Sequence, residues 1–171
     1  MRKLLVVLFV CTGFCARYAY AVSVVNGSMT DVGGDYNSVN ALVPSGWQQI
    51  PFTSPDIFDE NTNFSNFAWS ASSDGGTFVH ALGLQGPFNT DEGIFQEITG
   101  LIIGESYIVS FEQSISFSST GLQGDGGYFD VTFGNETKQS TNMIRPDLGV
   151  KADWQNQSLM FTATSETLTP A

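Results

Sequence analysis

Ser106-Tyr107-Ile108-Val109-Ser110-Phe111-Glu112-Gln113-Ser114-Ile115-Ser116-Phe117 is the stretch on which the fold turns. Tyr107, Val109, Phe111, Ile115 and Phe117 share one parity, interrupted only by Gln113, while Ser110, Glu112, Ser114 and Ser116 share the other. Side chains alternate between the two faces of a strand, so this pattern predicts a half-buried antiparallel strand. Phe129, Val131 and Phe133 alternate with Tyr128, Asp130 and Thr132 in the same way, as do Leu159, Phe161 and Ala163 with Met160 and Thr162. No helical apolar period is sustained after residue 21, and the three strands together predict an all-β, sandwich-like core.

Outward from these strands, weaker ones are expected at residues 22–25, 47–50, 77–82 and 93–99, each bounded by turn-forming residues. Gly33-Gly34, Pro44-Ser45-Gly46, Asp74-Gly75-Gly76, Gly124-Asp125-Gly126-Gly127 and Gly134-Asn135 supply the reversals that such a fold needs. Residues 53–66, rich in Asp, Asn and Ser, read as a long surface loop. After the strand at 158–163 and a turn at Ser165-Glu166, a further strand starts at residue 167 and stops at Pro170-Ala171. The closing strand is therefore expected to be missing or very short, through a truncated reading frame or a sheet edge left open to another chain.

The start of the chain carries a different signal. Arg2 and Lys3 precede an apolar run over residues 4–14, too short to span a bilayer but the right length for the core of a signal peptide. Ala19-Tyr20-Ala21 offers small residues where signal peptidase looks for them, so residues 1–21 are expected to be removed and 22–171 to form one domain, secreted, periplasmic or on the cell surface. Cys11 and Cys15 leave with the signal, and no internal disulfide can form in what remains. A domain of that size buries roughly two thirds of its unfolded surface and can rest on its core. After cleavage, Lys138, Arg145 and Lys151 stand against 17 acidic residues, a net charge of −14. Nucleic acid and anionic membranes are poor partners for such a surface.

Several short stretches carry a resemblance: Val25-Asn26-Gly27-Ser28, Pro44-Ser45-Gly46-Trp47, Ser73-Asp74-Gly75-Gly76-Thr77-Phe78-Val79, Glu92-Gly93-Ile94-Phe95-Gln96, Leu101 with Gly104, Tyr107 through Ser110-Phe111, and Trp154 preceding Phe161-Thr162-Ala163. In this order they resemble the galactose-binding-like jelly rolls, which include many carbohydrate-binding modules of secreted bacterial proteins. The resemblance implies a sandwich that binds sugar on a concave face or in the loops at one end, often with a structural calcium. Two departures matter. Met29-Thr30-Asp31 stands where an acidic residue would follow the opening motif directly, and the last strand, which often gives a late calcium ligand, is not evident.

Sugar recognition needs an aromatic platform with amides and carboxylates beside it. Trp69, His80 and Tyr128 are the candidates. The alternatives are a packing role for Trp69, a structural histidine at 80 and an ordinary surface tyrosine at 128. Trp47 and Trp154 are expected in the core. For calcium, Asp59, Asn61 and Asn63 alternate as successive oxygen ligands do, with Asp56 and Glu60 adjacent, but Phe64 and Ser70 exclude an EF-hand. A solvated acidic loop is the alternative, and Asp31, Asp35 and Asp153 are secondary candidates. One histidine and no remaining thiol leave no zinc set. Glycoside hydrolysis asks only for two carboxylates, for which Glu97, Glu112 and Asp130 are placed on expected strands. Sequons at Asn26, Asn63, Asn135 and Asn156 would carry glycans in a eukaryotic secretory pathway. The expectation is thus a non-catalytic module that binds a glycan or extracellular polymer, against a structural or adhesive protein that self-associates through an open sheet edge.

Overall fold

The computed structural model describes residues 2–3, 9–10, 22–30, 43–62, 67–73, 76–83, 91–117 and 125–168. Among them there are strands and no helix: β1 (Arg2–Lys3), β2 (Phe9–Val10), β3 (Gln48–Gln49), β4 (Asp56–Phe58), β5 (Phe78–His80), β6 (Ile94–Phe95), β7 (Ile98–Thr99), β8 (Ser106–Gln113), β9 (Gly126–Gly127), β10 (Asp130–Phe133), β11 (Glu136–Gln139), β12 (Met143–Ile144), β13 (Gln155–Thr162) and β14 (Thr167–Leu168). Every strand-to-strand pairing is antiparallel. The largest sheet runs β13-β8-β1-β5-β4, with β2 also on β8, and β10-β11, β12-β9, β14-β7 and β3-β6 form four separate two-stranded pairs.

The deciding stretch forms the longest ladder. β8 and β13 pair without a break from Ser106↔Thr162 to Gln113↔Gln155. That register puts Tyr107, Val109 and Phe111 on the same face as Leu159 and Phe161, and a slip of one residue would turn all of them outward. β10 lays Phe133 and Val131 against this face, with Phe129 beside them. Phe133 lies 5.9 Å from Tyr107 and 5.4 Å from Phe161, centroid to centroid, and Phe129 meets Phe111 edge-on at 6.1 Å. Each such ring contributes roughly 1.5–3 kcal/mol by leaving water.

β4 and β5 are buried on both faces. Ile57 and Val79 join a cluster with Met29 and Trp47, whereas Phe58 and Phe78 join Trp69, so the two strands separate two apolar clusters. This corrects the reading of residues 53–66 as surface loop. Ile57 and Phe58 are too apolar to leave out, and the sheet takes in Asp56 with them because its cross-strand partner is His80.

Other expectations shift in detail. Residues 22–25 form no strand and lead into a turn at 25–28; the expected strand at 93–99 divides into β6 and β7. The alternation that opened the reading ends as a ladder at Gln113, and the polar parity beyond it does not face water. Glu112, Ser114 and Ser116 are buried beneath neighbouring chain. Glu112 accepts from Ser73 N at 3.1 Å, Ser116 Oγ from Ala68 N at 2.9 Å, and Ser114 Oγ donates to the Ala152 carbonyl at 3.4 Å. At the chain's end, Thr167–Leu168 pairs with Ile98–Thr99 and buries Leu168 in the main core. At its beginning, β1 lies between β5 and β8, where Arg2 is the partner of both Val79 and Gln113 and Lys3 that of Glu112.

Candidate functional site

The site begins with a tight turn. Phe133 and Glu136 are register partners, which leaves Gly134-Asn135 as a two-residue connection. Gly134 has φ +62°, the left-handed value that the first position of a II′ turn demands and that glycine adopts without strain. The turn fixes the pairs Thr132↔Thr137, Val131↔Lys138 and Asp130↔Gln139. Since Val131 and Phe133 point into the core, Asp130, Thr132, Thr137 and Gln139 share the opposite face, and all four are exposed. Thr132 and Thr137 hydroxyls meet at 2.8 Å. Lys138, the hairpin's one cation, is on the core side: its ammonium bonds the Met160 carbonyl and stands 5.0 Å from the Phe161 ring centre. The outer face therefore keeps its carboxylate without an adjacent lysine.

Tyr128 extends that face by one more position of the same parity. It is 39 % exposed. Behind it, Phe129 N donates to Ser140 Oγ at 2.7 Å and Ser140 N returns to the Phe129 carbonyl at 2.8 Å, which carries the hairpin ladder past Gln139. On its other flank β9 runs very close to β12: a Cβ on Gly126 would fall 2.1 Å from the Met143 carbonyl oxygen, so the approach admits only glycine. The outcome is a strip about 14 Å long, by strand rise, bearing a phenol, a carboxylate, a primary amide and two hydroxyls.

The other residues expected to bind ligand lie elsewhere. Asp56 and His80 are cross-strand partners, and His80 Nδ1 stands 2.7 Å from Asp56 Oδ2 with both residues nearly sealed from water. The imidazole stacks on Phe58 at 4.8 Å and is flanked by Phe67 at 5.1 Å and Trp69 at 6.1 Å. Burial pulls the His80 pKa below the usual histidine value, against the upward pull of the Asp56 carboxylate. Trp69 is only 1 % exposed, meets Phe78 edge-on at 5.5 Å, and its Nε1 has no hydrogen-bond partner among the described residues. Trp69 and His80, expected as a sugar platform, are thus both placed in the interior, with their rings packed among Phe58, Phe67 and Phe78. Trp154 is fixed nearby by its Nε1 bond to the Ser70 carbonyl at 2.8 Å, and Trp47 is buried, both as expected of core residues.

The oxygen-rich loop has internal uses for its oxygens. Asp59 Oδ1 accepts from Asn61 N at 2.8 Å and from Thr62 Oγ1 at 3.2 Å, while Thr62 Oγ1 accepts from Asp59 N at 2.9 Å, a local turn that closes on itself. Asp56 faces His80 in the core. As placed, these two carboxylates do not make a calcium cradle, and among the described residues no three His, Cys, Asp or Glu side chains converge. Asn63, Asp31 and Asp35 lie outside the described residues, and Asp153 is exposed.

The three carboxylates suited to hydrolysis also have separate surroundings. Glu112 is buried against Ser73, and Asp130 is on the exposed hairpin. Glu97 lines an open groove of about 420 Å³ with Val22, Ser23, Val25, Gln96, Thr99 and Gly100, and among the described residues it is the one carboxylate there, where the reaction uses two. Gln96 in this groove is a strut: its amide accepts from Val25 N at 2.8 Å and donates to the Val25 and Gly46 carbonyls at 3.0 and 2.6 Å.

Thr137 and Gln139 are the members of the strip that the sequence reading missed. Gly134-Asn135 was the available signal, because a two-residue turn after Asp130–Phe133 implies a returning strand of matching length. No protein-family model, curated protein or solved structure matches this chain.

Proposed function

We propose that this chain is the precursor of an exported, non-catalytic module of galactose-binding-like jelly-roll type, which binds a glycan or similar extracellular polymer on the outer face of β10 and β11. One observation carries the proposal: Asp130, Thr132, Thr137 and Gln139 share the exposed face of one hairpin in fixed register, and Tyr128, 39 % exposed, precedes Asp130 by two residues. The Tyr128 ring stacks against the apolar face of a sugar, and Asp130 and Gln139 exchange hydrogen bonds with its hydroxyls.

Magnitudes favour a polymer over a free monosaccharide. Stacking contributes about 0.5–1.5 kcal/mol and each hydrogen bond a net 0.5–1.5 kcal/mol. A few such terms on an open surface correspond to a Kd in about the millimolar range, which repeated units on one chain raise through multivalency. The mature charge of −14 selects neutral or cationic polymers over anionic ones.

A panel of insoluble and soluble polysaccharides, offered to the exported protein, tests this reading. Saturable retention that falls at least tenfold in Tyr128→Ala and in Asp130→Ala supports it. Retention by no polysaccharide, or retention indifferent to both substitutions, contradicts it.

One feature favours the second reading, a self-associating surface protein. Phe52 is fully exposed at φ +67° in the Ile50–Thr53 turn, with Ile50 beside it 40 % exposed. Sedimentation that shows concentration-dependent assembly, lost in Phe52→Ser, would favour this reading.

A further inference from the structure

We infer that the turn at residues 147–150, with Lys151 directly after it, is the contact through which two copies of this chain form a closed two-fold dimer. The inference is independent of polysaccharide binding and of the surface around Phe52.

The shape of the turn depends on one glycine. Val150 N donates to the Asp147 carbonyl at 3.0 Å and Gly149 takes φ +78°, the pattern of a type II turn, whose third position calls for glycine. The turn leaves Leu148 and Val150 outward, 61 % and 50 % exposed. Ile144, which enters the same loop from β12, is 79 % exposed, while Met143 before it is buried. A Cβ on Gly149 would meet no atom within 4 Å, so no described residue lies over that side of the turn and another backbone can approach it.

Charge selects the occupant. After residue 21 the chain has three cations against 17 acidic residues. Lys138 pairs with Glu136 at 3.0 Å, and the Arg145 guanidinium stands 5.4 Å from the Phe117 ring centre and 4.0 Å from Asp125. Lys151 and Asp147 are both exposed, and neither takes part in an ion pair among the described residues. An acid, two aliphatic side chains and a base therefore follow one another over residues 147–151. A two-fold axis sets such a patch against itself in reverse, so Asp147 of each copy meets Lys151 of the other around the apposed Leu148 and Val150 side chains. Other exposed apolar turns lack this complementarity. The one at residues 101–105 presents Ile102 and Ile103 beside Glu105 and carries no cation, so two copies, each with a mature net charge of −14, would set acid against acid there. The patch is small, which places the dimer among transient complexes that bury less than about 1,200 Å².

Sedimentation equilibrium of the exported protein from about 10 µM to about 1 mM covers the range in which transient interfaces dissociate. Salt at about 0.15 M suits the test, because screening over about 8 Å mutes repulsion between whole copies and leaves pairs in contact. The expected result is a mass that rises towards the dimer and stops there. Leu148→Glu should raise the dissociation constant at least tenfold. Asp147→Lys and Lys151→Asp each place like charges across the axis and should each raise it at least fivefold, whereas an equimolar mixture of these two variants should associate as tightly as the parent. Phe52→Ser should leave it unchanged. A monomer at every concentration, growth past the dimer, or a mixture no tighter than its components overturns the inference. So does association that survives Leu148→Glu and is lost in Phe52→Ser, which transfers the contact to the turn at residues 50–53.

Discussion

Two aromatic regions look alike in sequence and are opposites in space. Trp69, His80 and Asp56 combine an aromatic, a base and an acid, yet they lie buried within a nest of Phe58, Phe67 and Phe78. Tyr128 and Asp130 offer one ring and one carboxylate, and both are exposed on a hairpin whose other side holds Phe129, Val131 and Phe133. Chemical richness in the first region serves packing: a buried histidine needs an acceptor, and Asp56 provides it across the ladder. In the second, the plainer residues are the accessible ones.

The largest effect expected from this contrast is on stability. Trp69→Ala should cost about 3–5 kcal/mol in a urea or guanidinium melt, the usual penalty for hollowing a core of its largest side chain. A cost under 1 kcal/mol would mean that the nest is not a core. Asp56→Ala should cost about 1–3 kcal/mol, because it leaves the His80 Nδ1 buried without its partner. Asp56→Asn, which keeps an acceptor, should lose less.

The same pair gives a pH dependence of known sign. Burial sets the folded pKa of His80 below the unfolded value of 6.5, so between the two the unfolded chain binds more protons and stability rises with pH. The contribution is complete above 6.5 and is lost as pH falls through the folded value. Urea midpoints measured from pH 8 downward should decline in that window in the parent and decline less in His80→Gln; an identical decline in both would place the titration elsewhere.

Smaller effects sharpen the surface side. Phe52→Gly should stabilise by up to about 1 kcal/mol, since the left-handed backbone there suits glycine and the ring has no packing to lose. Tyr128→Ala should change stability by no more than about 0.5 kcal/mol while reducing polysaccharide retention tenfold. A large loss of stability would return Tyr128 to the core and remove the site with it.

How much of this was legible depends on which force shaped each segment. The faces of β8, β10 and β13 could be read because each carries period-2 alternation of large apolar residues along most of its length. Asp56–Phe58 was hidden: two apolar residues beside an acid, in a stretch of turn formers, show no period, and the strand exists through its pairing with Phe78–His80. Glu136–Gln139 was hidden for the reverse reason, having no apolar face to display. Of the site, Tyr128 was legible from parity with Phe129. The burial of Trp69 was not, because beside the sequence neighbour Phe67 its packing partners are Phe78 and His80, which come next to it only after folding.

Hydroxyl-radical footprinting with mass-spectrometric readout addresses the contrast most directly, since it reports side-chain access to water residue by residue in one sample. Tryptophan is the more reactive residue when free, so protection at Trp69 is informative. The expected pattern is Trp69 and Tyr107 protected, Phe52 oxidised at a rate close to that in the denatured chain, and Tyr128 oxidised at an intermediate rate, clearly faster than Tyr107. Oxidation of Trp69 as fast as Tyr128, or protection of Tyr128 alongside Tyr107, would contradict the assignment of the two regions to the inside and the outside of the fold.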